Sequence, residues 1–160
     1  MARKVRKPLR RIKLVTVEHE ENAADRIGEG EVNSSLKTAR LLHEWLGKKD
    51  REHFVVFHLD ARNRMVSREV ISVGSLMASL VHPREVFKGA LLASAAAIVC
   101  GHNHPSGNAA VSQEDVAITK RLIDAGRILG IEVLDHVIVG PAGADGTYTS
   151  MLDTEGHLWK

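Results

Sequence analysis

The chain has 160 residues, of which 44% are hydrophobic and 26% are charged. These proportions are typical of one globular domain and exclude a wholly disordered or fibrous protein. A single cysteine, Cys100, excludes an intramolecular disulfide and a cysteine-rich zinc site. No apolar run reaches the roughly 18 residues of a membrane span, and the basic N-terminus lacks the apolar segment of a secretory signal. We therefore expect a cytoplasmic protein with no membrane partner.

The net charge of +2 conceals an asymmetry along the chain. Residues 1–13 contain seven Lys or Arg and no acid, whereas the remainder holds 15 cations against 20 acids. A basic segment of this kind predicts weak contact with nucleic acid through its phosphates, and a solvated tail is an equally good interpretation. We assign residues 1–32 to a basic, irregular N-terminal arm and residues 33–160 to a single domain.

The first half of the domain predicts one helix and a β-hairpin. Apolar residues recur at helical spacing over residues 36–46, and Asn33 or Ser34 supplies the N-terminal cap. His53–Leu59 and Met65–Val73 are rich in β-branched and aromatic residues and are separated by a short polar turn. That pattern is typical of two antiparallel strands joined by a tight connection.

The second half is predicted to alternate helices, strands and loops. In chain order these are a helix from Pro83, a buried strand over Ala95–Cys100, a loop over Gly101–Ala110, a helix over Asp115–Leu129 ended by Gly130, a strand over Val133–Val139, a loop over Gly140–Gly146 and a short strand over Thr147–Thr149. Strands interleaved with helices predict the α/β class, a mixed sheet with flanking helices.

The most informative segment for function contains two histidines. His102 and His104 follow the predicted buried strand at positions i and i+2, so their side chains project to the same side of an extended chain. Zn²⁺ favours such nitrogen ligands, and Asp115 at the start of the next helix is a candidate third ligand. Three protein ligands leave a fourth position for water, which is the catalytic rather than the structural pattern.

Each part of this pattern has an ordinary structural interpretation as well. A His-x-His pair in a loop occurs by chance, and Ser112 with Asp115 forms the pattern of a helix capping box. Cys100 and His136 both lie in apolar strands and are more typical of core residues than of metal ligands.

An open zinc site also needs a carboxylate that accepts a proton from water. Three acids are candidates for this general base: Glu52, Glu69 and Glu85. Neither the residue type nor the position of these three acids shows which of them is the base.

The combination of motifs is more specific than its parts. His-x-His, ten further residues and an aspartate, with a serine three positions before that aspartate, resembles the JAMM (MPN+) metalloprotease motif. The surrounding sequence is similar to the RadC family, whose C-terminal half is a JAMM-like (JAB) domain. The resemblance covers roughly residues 36–150 and rests on five segments: residues 51–56, 73–76, 80–87, 101–107 and 133–140.

The resemblance implies both a fold and a set of roles. The fold is JAMM/MPN-like, with an architecture related to that of cytidine deaminase. By matching position, His102, His104 and Asp115 are the zinc ligands. Glu52 matches the glutamate that deprotonates the metal-bound water, and Ser112 matches the serine that stabilises the oxyanion.

The sequence departs from the family pattern at several places. Val111 stands where the family usually has proline, and Met77-Ala78 stands near the position of a usual asparagine. The segment 145–160 is unlike the usual family ending. The helix-hairpin-helix segment that precedes the domain in full-length RadC proteins has no counterpart, so we expect a short form without that route to duplex DNA.

The motifs lead to one main hypothesis and one alternative. The main hypothesis is a zinc-dependent hydrolase of the JAMM type that cleaves a peptide or isopeptide amide in a peptide or protein substrate. The alternative is a DNA-repair-associated accessory protein whose zinc site is structural or vestigial. A nucleobase deaminase is excluded, because that class needs a Pro-Cys-x-x-Cys ligand pair and the chain has one cysteine.

Overall fold

A five-stranded mixed sheet forms the centre of the protein. The computed structural model describes residues 31–74, 81–141 and 147–160. The strands are β1 (His53–Leu59), β2 (Met65–Val73), β3 (Ala97–Asn103), β4 (Glu132–Val139) and β5 (Tyr148–Ser150). Their order is β2-β1-β3-β4-β5. Only the β3–β4 pair is parallel, and the other three pairs are antiparallel.

Helices cover both faces of this sheet. The described helices are α1 (Ser35–Leu46), α2 (Pro83–Leu92), α3 (Gln113–Leu129) and the single turn α4 (Met151–Thr154), followed by a 3₁₀ turn over Gly156–Trp159. The buried residues of α1 pack on one face of the sheet, and those of α2 and α3 pack on the other. The predicted class, a mixed sheet with flanking helices, is confirmed. None of the described helices is long and apolar enough to cross a bilayer.

Local sequence signals explain where several elements begin and end. Ser34 caps α1 by accepting a hydrogen bond from the backbone N–H of Lys37, as side-chain oxygens do at helix starts. Gly130 ends α3 in the left-handed conformation, with φ of 69°, which glycine adopts without a steric penalty. In the β1–β2 turn, the carboxylate of Asp60 accepts hydrogen bonds from the backbone N–H groups of Arg62 and Arg64. The predicted hairpin is confirmed with the bounds expected for both strands.

The bounds predicted for β3 are wrong at both ends. The strand does not cover Ala95–Cys100 but runs from Ala97 to Asn103, so His102 lies within the sheet rather than in a loop. A glycine within a strand often marks a bulge or the end of pairing. Here β3 stays paired through Gly101, because β1 and β4 lie on either side of it. His102 pairs with Phe54 of β1, and Asn103 pairs with Val139 of β4. Gly101 also lies where an added Cβ would meet Leu42 of α1 at 2.5 Å, so close packing explains this glycine.

The bounds of a helix and of the last strand differ from the predicted ones by one or two residues. The helix predicted from Asp115 begins two residues earlier, at Gln113, and the last strand is Tyr148–Ser150 rather than Thr147–Thr149. The short helix α4 and the 3₁₀ turn were not predicted. Val32, assigned above to the arm, is buried and donates its N–H to the carbonyl of Asn63.

Some predictions fall outside the described residues. These are the nucleic-acid contact of residues 1–13, the rest of the arm up to residue 30, the departure at Met77-Ala78 and positions 142–146 of the loop Gly140–Gly146. They remain predictions.

Candidate metal centre

The predicted ligands converge where β3 ends and α3 begins. His102 is the penultimate residue of β3, and His104 directly follows the strand. Asp115 is the third residue of α3, which returns over the sheet after the intervening loop. A buried strand end and a buried helix start therefore hold the three side chains together. His102 and Asp115 are almost completely buried, and the side chain of His104 is 14% exposed.

The distances match a shared site for a cation. The Nε2 atoms of His102 and His104 lie 2.8 Å apart. The Nε2 atom of His102 lies 3.2 Å from Oδ1 of Asp115, and that of His104 lies 3.9 Å from Oδ2. Within the described parts of the chain, these three residues form the one group of His, Cys, Asp or Glu with ligand atoms all within 4.8 Å of one another. They are positioned to bind a metal ion.

The protonation chemistry of this group also fits a metal. Burial lowers the pKa of His102 well below its ordinary value of 6.5, and neighbouring His104 lowers it further, so the ring is neutral at pH 7 and keeps a lone pair. The Nδ1 atom of His104 lies 2.7 Å from the carbonyl oxygen of Asn108. Since a carbonyl only accepts, this Nδ1 carries the hydrogen and Nε2 presents its lone pair to the site. Two imidazole nitrogens and a carboxylate oxygen are donors that Zn²⁺ commonly takes.

Ser112 takes the capping role that its position suggests. It is the N-cap of α3, and it forms a complete capping box with Asp115. The Ser112 hydroxyl accepts from the Asp115 N–H at 3.1 Å and donates to Oδ2 of Asp115 at 2.7 Å. The capping box therefore orients the carboxylate of a metal-ligand candidate, and Ser112 lies in contact with the site.

Glu52 lies next to the same site in the strand register. Phe54 pairs with His102 in the antiparallel β1–β3 ladder. Extended two residues beyond this last pair, the same register would set Glu52 opposite His104, although Glu52 lies just before β1 and His104 just after β3. Because side chains alternate across a strand, both positions belong to the face that carries His102. The Glu52 side chain is half-buried.

Asn103, which the sequence analysis did not single out, fixes the backbone around Glu52. Its Oδ1 accepts from the N–H of His53 at 2.8 Å, and its Nδ2 donates to the carbonyl of Arg51 at 3.0 Å. The carbonyl of Glu52 itself accepts from the N–H of Gly74 at 2.8 Å. Glu52 is thus held at its own peptide and at both neighbours. In the sequence, its position between His102 and His104 is the feature that could have drawn attention to Asn103.

The other two candidate bases lie in different surroundings. Glu69 is on β2, which β1 separates from β3, and its carboxylate packs against Gly89 of α2. Glu85 is exposed on α2 and forms an ion pair with Lys88 at 2.8 Å. The hydrogen bond from that ammonium lowers the pKa of Glu85. Neither residue shares the register position that Glu52 has beside His104.

A second buried histidine contacts the site from β4. The Nε2 atom of His136 lies 2.8 Å from Nδ1 of His102, and its Nδ1 lies 2.6 Å from the hydroxyl of Thr119. Burial lowers the pKa of His136, with a further contribution from His102. His136 is a buried residue, as its apolar strand indicated, and both of its ring nitrogens lie within hydrogen-bond distance of other side chains. Its contact with His102 was not predicted, because β4 reaches the site only through the parallel pairing with β3.

Cys100 takes no part in this chemistry. It is fully buried in the core under α2 and α3, as predicted, and burial raises the pKa of its thiol. The thiol therefore stays protonated at neutral pH.

Comparison with known proteins agrees with this geometry. The model of the RadC-like JAB domain family matches residues 32–157. The chain belongs to the RadC-like JAB domain family. The matched range includes every strand and α-helix described above and all the candidate site residues.

Curated relatives match most of this chain over about half of their own length. A UPF0758 protein of the archaeon Methanococcoides burtonii is 46% identical over 127 residues, which cover 79% of this chain and 53% of that protein. A UPF0758 protein of Bacillus cereus strain AH187 is also 46% identical over 127 residues, covering 79% and 54%. One from Methanosarcina mazei is 42% identical, with 79% and 53% covered. The chain spans about half the length of these relatives.

Proposed function

We propose that this RadC-like domain is a zinc-dependent hydrolase that cleaves a peptide or isopeptide amide. The observation that carries the proposal is the convergence of His102, His104 and Asp115 at one buried point. Three ligands from the protein are typical of catalytic zinc sites, because a fourth position stays available to water or substrate. The partial exposure of His104 supports access from solvent on that side.

The donor set supports zinc as the metal. Nitrogen and carboxylate ligands suit Zn²⁺, and the site has no thiolate that would favour a purely structural centre. Zinc supplies Lewis-acid chemistry when bound, since it lowers the pKa of coordinated water to about 7 and polarises a carbonyl oxygen.

Glu52 is the proposed general base. Its carboxylate accepts the proton of the attacking water and then delivers it to the leaving amine of the scissile amide. This role needs a base on an element other than those that carry the ligands, held in a fixed position. The three backbone hydrogen bonds around Glu52 and its register beside His104 support the assignment over Glu69 and Glu85.

Ser112 is the proposed donor to the oxyanion that forms at the substrate carbonyl. Its hydroxyl hydrogen is directed to Oδ2 of Asp115 in this structure, so it must rotate toward the substrate to act in the reaction. Replacing Ser112 therefore has two expected effects: a loss of oxyanion stabilisation and a looser Asp115 ligand. A donor of this kind contributes about 10²–10³-fold in rate.

The alternative function is a DNA-repair-associated accessory role with a structural or vestigial metal site. A structural site needs neither a base nor an oxyanion donor, so the presence of Glu52 and Ser112 around the ligands favours the hydrolase. The relatives carry only the name UPF0758, so the choice depends on measurement.

A conservative substitution at Glu52 tests the hydrolase directly. Glu52→Gln keeps the size of the side chain and its ability to hydrogen-bond, but it removes proton acceptance. We expect this variant to retain zinc and fold while it loses about 10²–10⁴-fold in cleavage rate, measured on fluorogenic peptides and on ε-amino-linked isopeptides. Ser112→Ala should lose less, about 10²–10³-fold.

Glu85→Gln is the matched control, because Glu85 is exposed and paired with Lys88. It should cleave at the wild-type rate. Full activity of Glu52→Gln would contradict the assigned base, and zinc loss in that variant would make Glu52 a ligand. A zinc-loaded wild type that cleaves none of these substrates would favour the accessory role.

A further inference from the structure

A buried chain of polar groups connects the metal centre to the C-terminal segment. From His102 it passes to His136 at 2.8 Å, on to the Thr119 hydroxyl at 2.6 Å, and ends at the thioether of Met151 at 3.3 Å. All four side chains are at most 1% exposed. We propose that Met151 and Thr119 act through His136 to preset the tautomer of His102, so that its Nε2 lone pair faces the site before a metal binds.

The proposal takes its hydrogen-bond direction from the sulfur of Met151. A thioether accepts and never donates, and the Thr119 hydroxyl lies 3.3 Å from this sulfur, so in the proposed network the hydroxyl gives its one hydrogen to Met151. The oxygen of Thr119 then accepts from Nδ1–H of His136. A neutral imidazole has one donor and one acceptor nitrogen, so Nε2 of His136 accepts from Nδ1–H of His102.

The consequence at the metal centre is a lone pair on Nε2 of His102. The carbonyl of Asn108 imposes the same tautomer on His104 through a separate contact. Two lone pairs then face each other across 2.8 Å, with Oδ1 of Asp115 at 3.2 Å from one of them. Electron-rich atoms at such distances repel one another, and a cation between them removes that repulsion. The chain of hydrogen bonds therefore prepares the site for a metal ion.

The opposite direction of the same chain would disable the ligand. If Thr119 donated to His136 instead, His136 would donate to His102, and the hydrogen of His102 would lie on Nε2, where it could be donated to Nε2 of His104 at 2.8 Å. That tautomer cannot coordinate a metal through Nε2, and it leaves the sulfur of Met151 without a donor, so the tautomer measurement described below decides between the two directions. The thioether is a weak acceptor, so its share of the bias is smaller than that of Thr119.

Asp135 holds His136 and the segment around Met151 in place, at the end of the hydrogen-bond series away from the metal centre. Its Oδ1 accepts from the N–H of His136 at 2.7 Å and from the N–H of Leu152 at 3.0 Å, and its Oδ2 accepts from the Ser150 hydroxyl at 2.7 Å. One carboxylate thus links the backbone of His136 to both neighbours of Met151. His136, Thr119 and Met151 are positioning residues for His102, and the C-terminal segment reaches the metal centre through them.

This inference rests on the ligand assignment in the proposed function, and its test does not use hydrolysis. In the zinc-free full-length chain, ¹⁵N NMR of the imidazole nitrogens should show hydrogen on Nδ1 of both His102 and His136. Hydrogen on Nε2 of His102 in the wild type would overturn the proposal.

Zinc affinity, measured by competition with a chromophoric chelator, gives the second readout. Thr119→Val keeps the shape of the side chain and removes the hydroxyl, so we expect zinc affinity to fall about 10–100-fold, as for other residues that orient metal-bound histidines. Met151→Leu conserves volume and should give a smaller loss with a mixed His102 tautomer. Thr38→Val, a buried threonine on α1 that bonds to the Ser34 carbonyl, is the matched control and should bind zinc as the wild type does.

The same titrations separate failure of the inference from failure of the ligand assignment. His102→Ala should abolish stoichiometric zinc binding. If it does while Thr119→Val binds zinc like Thr38→Val, the ligands are right and the preset tautomer is wrong. If His102→Ala retains zinc, the ligand assignment itself is wrong and the inference falls with it.

Discussion

The two faces of the central sheet use alternating residues of the same strands but bury different chemistry. On the α1 side, strand residues such as Val55, Phe57, Val99 and Val137 form an apolar core with the helix. On the α2–α3 side, the strands bury an apolar cluster and, at one end, His102 and His136. The α1 side contributes stability mainly through apolar burial. On the other side, His102 and His136 have hydrogen-bond partners that also orient them for a metal.

The difference between the two faces shows what a buried functional cluster requires. A buried polar group without a partner costs about 1–3 kcal/mol, so a functional cluster inside a core requires a partner for each member. His102, His136, Thr119 and Asp115 meet this requirement through one another and through Ser112 and Met151. The apolar face imposes no such condition and can be altered without affecting the metal centre.

The largest expected effect comes from matched truncations on the two faces. Leu46 of α1 and Leu122 of α3 are both almost fully buried, so each change to alanine should lower the free energy of unfolding by about 2–5 kcal/mol. Leu46→Ala should keep wild-type zinc affinity. Leu122→Ala should bind zinc more weakly, because it loosens the helix that carries Asp115.

Denaturant unfolding and chelator competition on both variants measure these two quantities. Equal zinc affinity in the two variants would show that the faces are not functionally distinct. A zinc defect confined to Leu46→Ala would reverse the comparison.

A smaller effect concerns His58, a buried polar residue on β1 away from the metal centre. Its Nδ1 contacts the Ser67 hydroxyl at 2.7 Å, and its Nε2 has no hydrogen-bond partner among the described residues. Burial lowers the pKa of His58 from its ordinary value of 6.5. As pH falls below that value, the unfolded chain takes up a proton that the folded state refuses, so His58 makes stability decrease toward acid.

His58→Gln should reduce this acid loss of stability. The free energy of unfolding at pH 7 and pH 5, from urea titrations of both proteins, gives the difference, with a limit of about 1.4 kcal/mol per pH unit for one proton. His102 and His136 remain in both proteins, so their contributions cancel. An identical pH dependence in the two proteins would contradict the assignment of a buried neutral His58.

The sequence predicted those elements whose formation depends on interactions between residues close together in the chain. Helix α1 and the β1–β2 hairpin follow from apolar periodicity, a serine cap and a polar turn, and the structure has them at the expected residues. Spacing made His102, His104 and Asp115 candidate ligands, and the resemblance to the JAMM motif selected them over the ordinary structural interpretations. The structure brings them together because a strand end and a helix start, joined by a loop, meet at one point.

The remaining features depend on contacts between distant segments. Strand β3 continues through Gly101 because β1 and β4 flank it, and no local signal contains that information. Asn103, Thr119 and Met151 have no pattern of their own, and their roles follow only from the residues that they meet.

Elemental analysis of the purified full-length chain tests the central claim most directly. We predict about one zinc ion per chain in the wild type, and none in His102→Ala/His104→Ala. His43→Ala/His157→Ala removes the same number of histidines elsewhere and should keep the full zinc content. Stoichiometric zinc in the His102→Ala/His104→Ala protein would contradict the account.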